Sequence, residues 1–215
     1  MLLSKLFKFV MAITAKHSID ESHGLSHSMN VLFYANKLFE SEIINNPQLR
    51  EQEQIIYVSA VLHDMCDKKY MNEGDGIKEI EFFLEDKITP LEVEVAKNIM
   101  RTMSYSKVKK NGFPDMKEYQ TAYHIVRESD LLTAYDFDRS MIYHMSVSGN
   151  EIEEAYENAK NIFLNRVLRH NEDGLFVSDY AKKESLLLEK NAIQRMHYWK
   201  EIIENSISCK IDRFE

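Results

Sequence analysis

The chain has 215 residues, 44% of them hydrophobic, and a formal net charge of −8, a composition that favours one folded domain with a sizeable core. Six Gly and three Pro are too few for the many turns of a β-sandwich or barrel, so we expect an all-α protein. The acidic balance argues against a protein that binds nucleic acid polymers by neutralising phosphates. Two cysteines, Cys66 and Cys209, cannot form a disulfide framework and indicate a reducing, cytoplasmic compartment.

The first segment, MLLSKLFKFVMAI, is amphipathic and is interrupted by Lys5 and Lys8. It is expected to form a helix that packs on the domain, with a membrane-surface helix as the alternative and a signal peptide disfavoured. No apolar run approaches the roughly 18 residues that span a bilayer, so no membrane partner is expected.

Helical periodicity dominates the rest of the chain. Thr89 and Glu92 around Pro90 form a capping-box pattern, and Asn150 with Glu153 is a second candidate for a capped start. The predicted helices cover roughly 25–46, 50–66, a short stretch at 82–84, 90–103, 117–148 with a break near 136–138, 150–169 and 178–207. Gly74 and Gly76 are expected to interrupt the chain before the short helix, and 107–116 is expected to be a loop.

Four polar residues stand out against these helices: His27, His63, Asp64 and Asp130. His63 and Asp64 end an apolar helix, where a buried imidazole and a buried carboxylate are costly unless they are paired or bind a metal. His27 and Asp130 lie on the apolar faces of two other helices, so all four side chains are expected to point into one interior. Two imidazoles and two carboxylates suit Mn²⁺, Fe²⁺, Co²⁺, Ni²⁺ or Zn²⁺ better than Ca²⁺.

The order His…His-Asp…Asp on helices resembles the HD-domain metal-dependent phosphohydrolases, in particular their small bacterial branch of nucleotide pyrophosphohydrolase-like proteins. The runs that carry the resemblance are SHGLSH (22–27), HDMCDKKY (63–70) and SYSK (104–107), followed by Asp130. The resemblance covers about 20–135. It implies a single HD-type helical domain over 1–215, with the metal-binding core at about 20–135 and further helices at about 136–210.

The resemblance also suggests roles around the metal. Asp64 and Asp67 are expected to be catalytic, with Asp67 orienting a metal-bound water. Lys69 and Lys107 are expected to bind phosphate, and Arg101 is a further candidate for anion binding. His23 is expected to support the metal ligands or to contact the substrate.

Two departures from the family pattern affect the substrate contacts. The family often has a second Asp three residues after the last ligand, where this chain has Thr133. It also tends to carry a basic, Gly-rich segment downstream, which SVSGNEIEEAY does not match.

The sequence therefore predicts an enzyme that hydrolyses a nucleotide or another small phosphate ester or anhydride. One divalent metal ion is expected as cofactor, with Mn²⁺ first and Co²⁺, Ni²⁺, Fe²⁺, Zn²⁺ or Mg²⁺ as the other choices. A non-catalytic module that binds metal and nucleotide is the alternative, and a di-iron redox enzyme is less favoured. A homodimer through the C-terminal helix is compatible with the sequence.

Overall fold

The computed structural model describes the backbone of residues 1–211 and the side chains of residues 1–205. Every regular element in that part of the chain is helical, which confirms the all-α prediction. The helices are α1 (Leu2–His17), α2 (Leu25–Glu42), α3 (Glu53–Leu62), α4 (Glu73–Leu84), α5 (Pro90–Thr102), α6 (Tyr105–Asn111), α7 (Gln120–Thr133), α8 (Phe137–Ser148), α9 (Ile152–Asn165) and α10 (Asp179–Ile211). Within the described residues no helix is both long and apolar enough to cross a membrane.

Helix α3 is the centre of the bundle because its sequence is apolar on every side. All of Ile55–Leu62 except Tyr57 is buried. One set of its side chains packs with α2, α7 and the helices from α8 onward, and the other set packs with α1, α4 and α5. The C-terminal helices therefore share a core with the helices that carry the four candidate ligands.

Three helices bring the candidate site together. His27 lies in the first turn of α2, His63 directly follows α3, and Asp130 lies in the last turn of α7. Because α2, α3 and α7 pack against one another, these positions face a common interior.

Several predicted boundaries are confirmed. Thr89 caps α5 through a reciprocal capping box with Glu92, and α5 ends at Thr102. The predicted break near residue 136 is the junction between α7 and α8, where the Asp136 side chain accepts a hydrogen bond from the backbone N–H of Arg139.

Other boundaries are wrong for local reasons. Gly74 and Gly76 lie inside the first turn of α4, because the Asn72 side chain caps that helix by accepting from the backbone N–H of Gly74 and Asp75. The predicted loop at 107–116 begins instead as helix α6, which Gly112 ends at φ 75°.

Two further helix ends also differ from the prediction. Helix α2 ends at Glu42 rather than near residue 46, because Asn46 precedes Pro47 and adopts a non-helical conformation. Asn150 does not cap α9; that helix starts after Glu151 without a side-chain cap.

Cys66 is a free, buried thiol on the turn after His63. Burial, together with the negative charge of the nearby Asp64 carboxylate, raises the pKa of this thiol to about 12, so it stays protonated at neutral pH. The side chain of Cys209 lies outside the described part of the chain.

Candidate metal centre

Four side chains from three helices converge on one point. His27 Nε2 lies 3.2 Å from His63 Nε2 and 3.1 Å from Asp64 Oδ2. Asp130 Oδ1 lies 3.5 Å from the Nε2 atom of each histidine. His27, His63 and Asp64 form a group whose ligand atoms lie within 4.8 Å of one another, so they could hold a metal ion. Asp130 is close enough to join them.

The spacing of these atoms fits a transition metal. Ligands at ~2.1 Å from a cation lie about 3.0 Å apart at right angles and about 3.4 Å apart in a tetrahedron. The observed separations of 3.1–3.5 Å fall in this range. Asp64 Oδ2 is buried and lies within 3.2 Å of the Nε2 atoms of His27 and His63, so its charge is neutralised either by a protonated imidazole or by a cation bound among these atoms. The residues present therefore fit a metal ion.

The His63 ring is oriented for ligation by the helix that precedes it. His63 Nδ1 lies 2.9 Å from the Ala60 carbonyl oxygen, to which it donates a hydrogen bond. This contact fixes the proton of the neutral ring on Nδ1 and leaves Nε2 as the metal-binding atom. The supporting acceptor is a backbone group, so the sequence alone gives no sign of it.

Thr133, which stands where the family often has Asp, supports His27. Its hydroxyl donates a 2.7 Å hydrogen bond to the carbonyl of Asp130, and the same oxygen lies 3.5 Å from His27 Nδ1. The hydroxyl can therefore accept from Nδ1–H, which directs the lone pair of Nε2 toward the candidate site, where Arg139 Nη1 also approaches it to 2.9 Å. The Thr133 side chain thus provides a hydroxyl contact to His27.

The charges in the cluster stabilise one another. Burial alone would raise the pKa of the Asp64 carboxyl, but the His63 and His27 imidazoles hold that pKa well below its ordinary value. Burial opposes a charge on His63, but the Asp64 and Asp130 carboxylates hold its pKa well above the ordinary value. Both carboxylates are thus ionised at neutral pH, as metal ligands must be, whereas His63 would release a proton when an ion binds to its Nε2.

A cavity of about 180 Å³, here called the first cavity, opens beside these ligands. It contains most of the residues to which the sequence assigned a role in catalysis or phosphate binding. Its lining includes His63, Asp64, Asp67, Lys69, Glu73, Lys107, Asp130 and Arg166.

Asp67 and Lys69 are held together at the edge of the first cavity. The Asp67 carboxylate accepts a 2.9 Å hydrogen bond from the backbone N–H of Lys69 and lies 3.5 Å from the Lys69 ammonium. Asp67 is thereby fixed one turn after His63, within the cavity that the metal ligands line.

His23 forms a hydrogen bond with Lys69, and its ring meets the ring of the candidate ligand His27 edge-on, with the centroids 6.1 Å apart. The Lys69 ammonium donates to His23 Nε2 over 3.2 Å, and His23 Nδ1 lies 2.7 Å from Ser22 Oγ and 3.0 Å from Tyr70 Oη. Burial, aided by the nearby charge of Lys69, lowers the pKa of His23 to about 4. The neutral ring orients Lys69, and the Tyr70 hydroxyl in turn donates to Asp20.

Arg101 does not lie at the site. It is exposed on α5 and does not line the first cavity, so the structure does not bring it together with the other residues predicted to bind phosphate. Met100 and Met103, from the same stretch, line the cavity, and Arg101 lies on a different side of the helix from them.

Two other arginines, which sequence reasoning missed, lie beside the centre. Arg139 Nη1 is 2.9 Å from His27 Nε2 and also contacts Nδ1 of that ring. The Arg166 guanidinium lies 4.1 Å from the centroid of the Tyr105 ring and lines the first cavity. They bring positive charge to the site from α8 and from the end of α9, although the chain lacks the family's basic downstream segment.

Comparison with known proteins bears on the fold. No family model matches the chain, and no curated protein matches it. The structure is similar to the crystal structure of a Lactobacillus plantarum protein solved as a structural genomics target, with a TM-score of 0.64 and 18% sequence identity. The match covers 93% of this chain and 97% of that chain. At this identity the likeness shows a shared helical fold and carries no function with it.

Proposed function

We propose that the chain is an HD-type, metal-dependent phosphohydrolase that acts on a nucleotide or another small phosphate ester or anhydride. The observation that supports this most is the convergence of His27, His63, Asp64 and Asp130 beside a cavity that contains lysine and arginine side chains. Four protein ligands on a six-coordinate ion leave two positions open, and this cluster borders a cavity large enough for a phosphate group.

In the proposed reaction the bound metal would lower the pKa of water and polarise a phosphoryl oxygen. His27, His63, Asp64 and Asp130 would hold the ion. Asp67, fixed by its hydrogen bond from Lys69, would orient the attacking water. Lys69 would bind a phosphoryl oxygen, oriented by His23.

Lys107 would have a smaller part in binding phosphate than its position in the SYSK segment suggests. Its ammonium donates a 2.6 Å hydrogen bond to the Glu73 carboxylate, which offsets its charge. Lys69 is also close to a carboxylate, that of Asp67, so the proposal gives the larger share of phosphate binding to Arg139 and Arg166.

A panel of metals and nucleotides tests this function. Protein stripped of metal and reloaded with Mn²⁺, Co²⁺, Ni²⁺ or Mg²⁺ is incubated with nucleoside mono-, di- and triphosphates, and the products are separated by chromatography. We expect turnover that is lost in Asp64→Ala together with bound metal, while release of orthophosphate or pyrophosphate identifies the bond that breaks. Unchanged turnover in Asp64→Ala would contradict the assignment.

The same panel tests the alternative of a non-catalytic module. The Lys107–Glu73 pair favours that reading, since it reduces the positive charge available for a transition state. Tight nucleotide binding without turnover in any metal would support it. A di-iron redox centre has less support, because the described residues contain one group of candidate ligands, which Asp130 extends to four.

A further inference from the structure

A second cavity, of about 250 Å³, adjoins the first. Lys69 and Arg166 line both cavities, so the two are parts of one cleft. The second cavity extends from this boundary along α8, past Arg139 and Tyr143. A molecule bound at the metal centre therefore has room to extend in this direction.

The two arginines of this cleft differ from Lys107 because no carboxylate of the described residues lies within ion-pair distance of them, although the Asp130 carboxylate acts on Arg166 from farther away. In the described part of the chain, neither Arg139 nor Arg166 forms an ion pair with Asp or Glu. Asp136 also lines the second cavity, but its side chain accepts from the backbone N–H of Arg139 and caps α8. In a protein with a net charge of −8, two cations without carboxylate partners at one cleft provide a site for an anion.

Both guanidinium groups are held in position. Arg139 starts from the capped first turn of α8 and lies against the His27 ring. Arg166 lies against the Tyr105 ring at the edge of the first cavity. The two groups approach the metal ligands from different helices, and a planar guanidinium can donate two parallel hydrogen bonds to phosphate oxygens.

The rest of the second cavity is suited to an organic group. Ala134, Ile162 and Val167 are among its lining residues. The half-buried Tyr143 ring lies 5.6 Å from the His23 ring and 5.3 Å from the Lys69 ammonium, with the distances taken to ring centroids. An aromatic ring beside an apolar floor suits a flat, uncharged group such as a nucleobase.

We propose that Arg139 and Arg166 bind the phosphoryl group of the substrate, and that the second cavity holds the remainder of the substrate against Tyr143. The inference rests on the proposed phosphohydrolase function. In this proposal two arginines outside the resembling segment supply the positive charge around the phosphoryl group. Lys107 supplies less of it because it is paired with Glu73, and Arg101 lines neither cavity.

Calorimetry with inorganic phosphate tests the arginine site without relying on activity. Wild-type protein and the Arg139→Gln and Arg166→Gln variants are titrated with Mn²⁺ loaded, after metal content and thermal unfolding have been compared. We expect each variant to bind phosphate ~10-fold more weakly or worse, the size of effect given by one lost charge-assisted contact. Arg50→Gln, an exposed arginine that lines neither cavity, is the control and should match wild type.

The outcomes separate the two proposals. Wild-type affinity for phosphate in both Arg139→Gln and Arg166→Gln would overturn the arginine site, whatever the activity. Weakened phosphate binding in these variants, with no turnover of any phosphate compound by wild type, would overturn the phosphohydrolase and leave the anion site standing. Because Arg139 contacts a candidate metal ligand, Arg166→Gln keeps the test valid if Arg139→Gln loses metal.

Tyr143→Ala tests the second half of the inference. We expect this variant to raise KM for a nucleotide several-fold and to weaken the binding of inorganic phosphate by less, because inorganic phosphate lacks the group that would lie on the ring, although the ring also borders Lys69. An unchanged KM, or an equal loss of phosphate affinity, would contradict the placement of the leaving group in the second cavity.

Discussion

The ammonium of Lys107 donates a 2.6 Å hydrogen bond to Glu73 Oε1, and both side chains line the cavity beside the candidate metal ligands. The SYSK segment brings a lysine to the cleft, but α4 supplies the carboxylate that pairs with it. The strength of this lysine as an anion ligand is therefore set by a residue that is 34 positions away in the chain.

Glu73→Gln should strengthen phosphate binding by several-fold, because it frees Lys107 and removes a negative charge from the cavity. Calorimetry with inorganic phosphate measures the change. Asp75→Asn is a matched control, since Asp75 also lies in the first turn of α4 but pairs with the exposed Lys78. Equal effects in the two variants would show that Lys107 does not take part.

Thr133→Val should weaken metal binding by ~10-fold or more, the usual cost of losing a hydrogen bond to a metal-ligating histidine. The change removes the oxygen that lies 3.5 Å from His27 Nδ1 while it keeps the volume of the side chain. Titration with Mn²⁺ measures the affinity. Thr133→Ser retains the hydroxyl and should bind metal as wild type does; weak binding in both variants would point to packing instead.

Gly76→Ala should destabilise the protein by about 1–3 kcal/mol, the usual range for an overpacked interior. A Cβ at Gly76 would lie 2.8 Å from Cys66 Cα and 2.8 Å from Met71 Sδ, so α4 would have to move away from the turn that follows Asp64. Chemical denaturation measures the loss. Gly74→Ala is the control, because its Cβ meets only the side-chain oxygen of Asn72, at 3.2 Å.

His170 should make the protein less stable in acid. The ring is fully buried, neither nitrogen has a hydrogen-bond partner in the described part of the chain, and burial lowers its pKa from 6.5 to about 3. Below pH 6.5 the unfolded chain takes up a proton that the folded chain excludes, so this stability is present above pH 6.5 and falls as pH drops toward 3.

Urea unfolding at pH 7 and pH 5 measures this effect. His170→Leu should lose about 2 kcal/mol less stability than wild type between the two pH values, from the proton linkage at one group. His197→Gln, at an exposed histidine on α10, should follow the wild-type curve. An identical pH dependence in wild type and His170→Leu would show that the His170 ring takes up its proton in the folded state.

Much of the fold follows from local patterns in the sequence. The capping box at Thr89 fixed one helix start, and the apolar run at 55–62 identified the central helix. His27, His63, Asp64 and Asp130 could be grouped beforehand because helical periodicity shows which side chains face the interior. The start of a helix and the face on which a side chain lies depend on residues within one or two turns of each other, so the sequence alone can predict them.

The tertiary structure decides which charged side chains lie together around the site. Arg139 meets His27 across 112 positions, and Lys107 meets Glu73 across 34, while Arg101 points away from the cleft. Helical periodicity predicts that a residue faces the interior, but the crossing of two helices determines which distant side chain it meets. The sequence by itself therefore determined the helices and the candidate ligand set. Only the packing of the helices decided which lysine and arginine side chains lie near that set and which of them pair with a carboxylate.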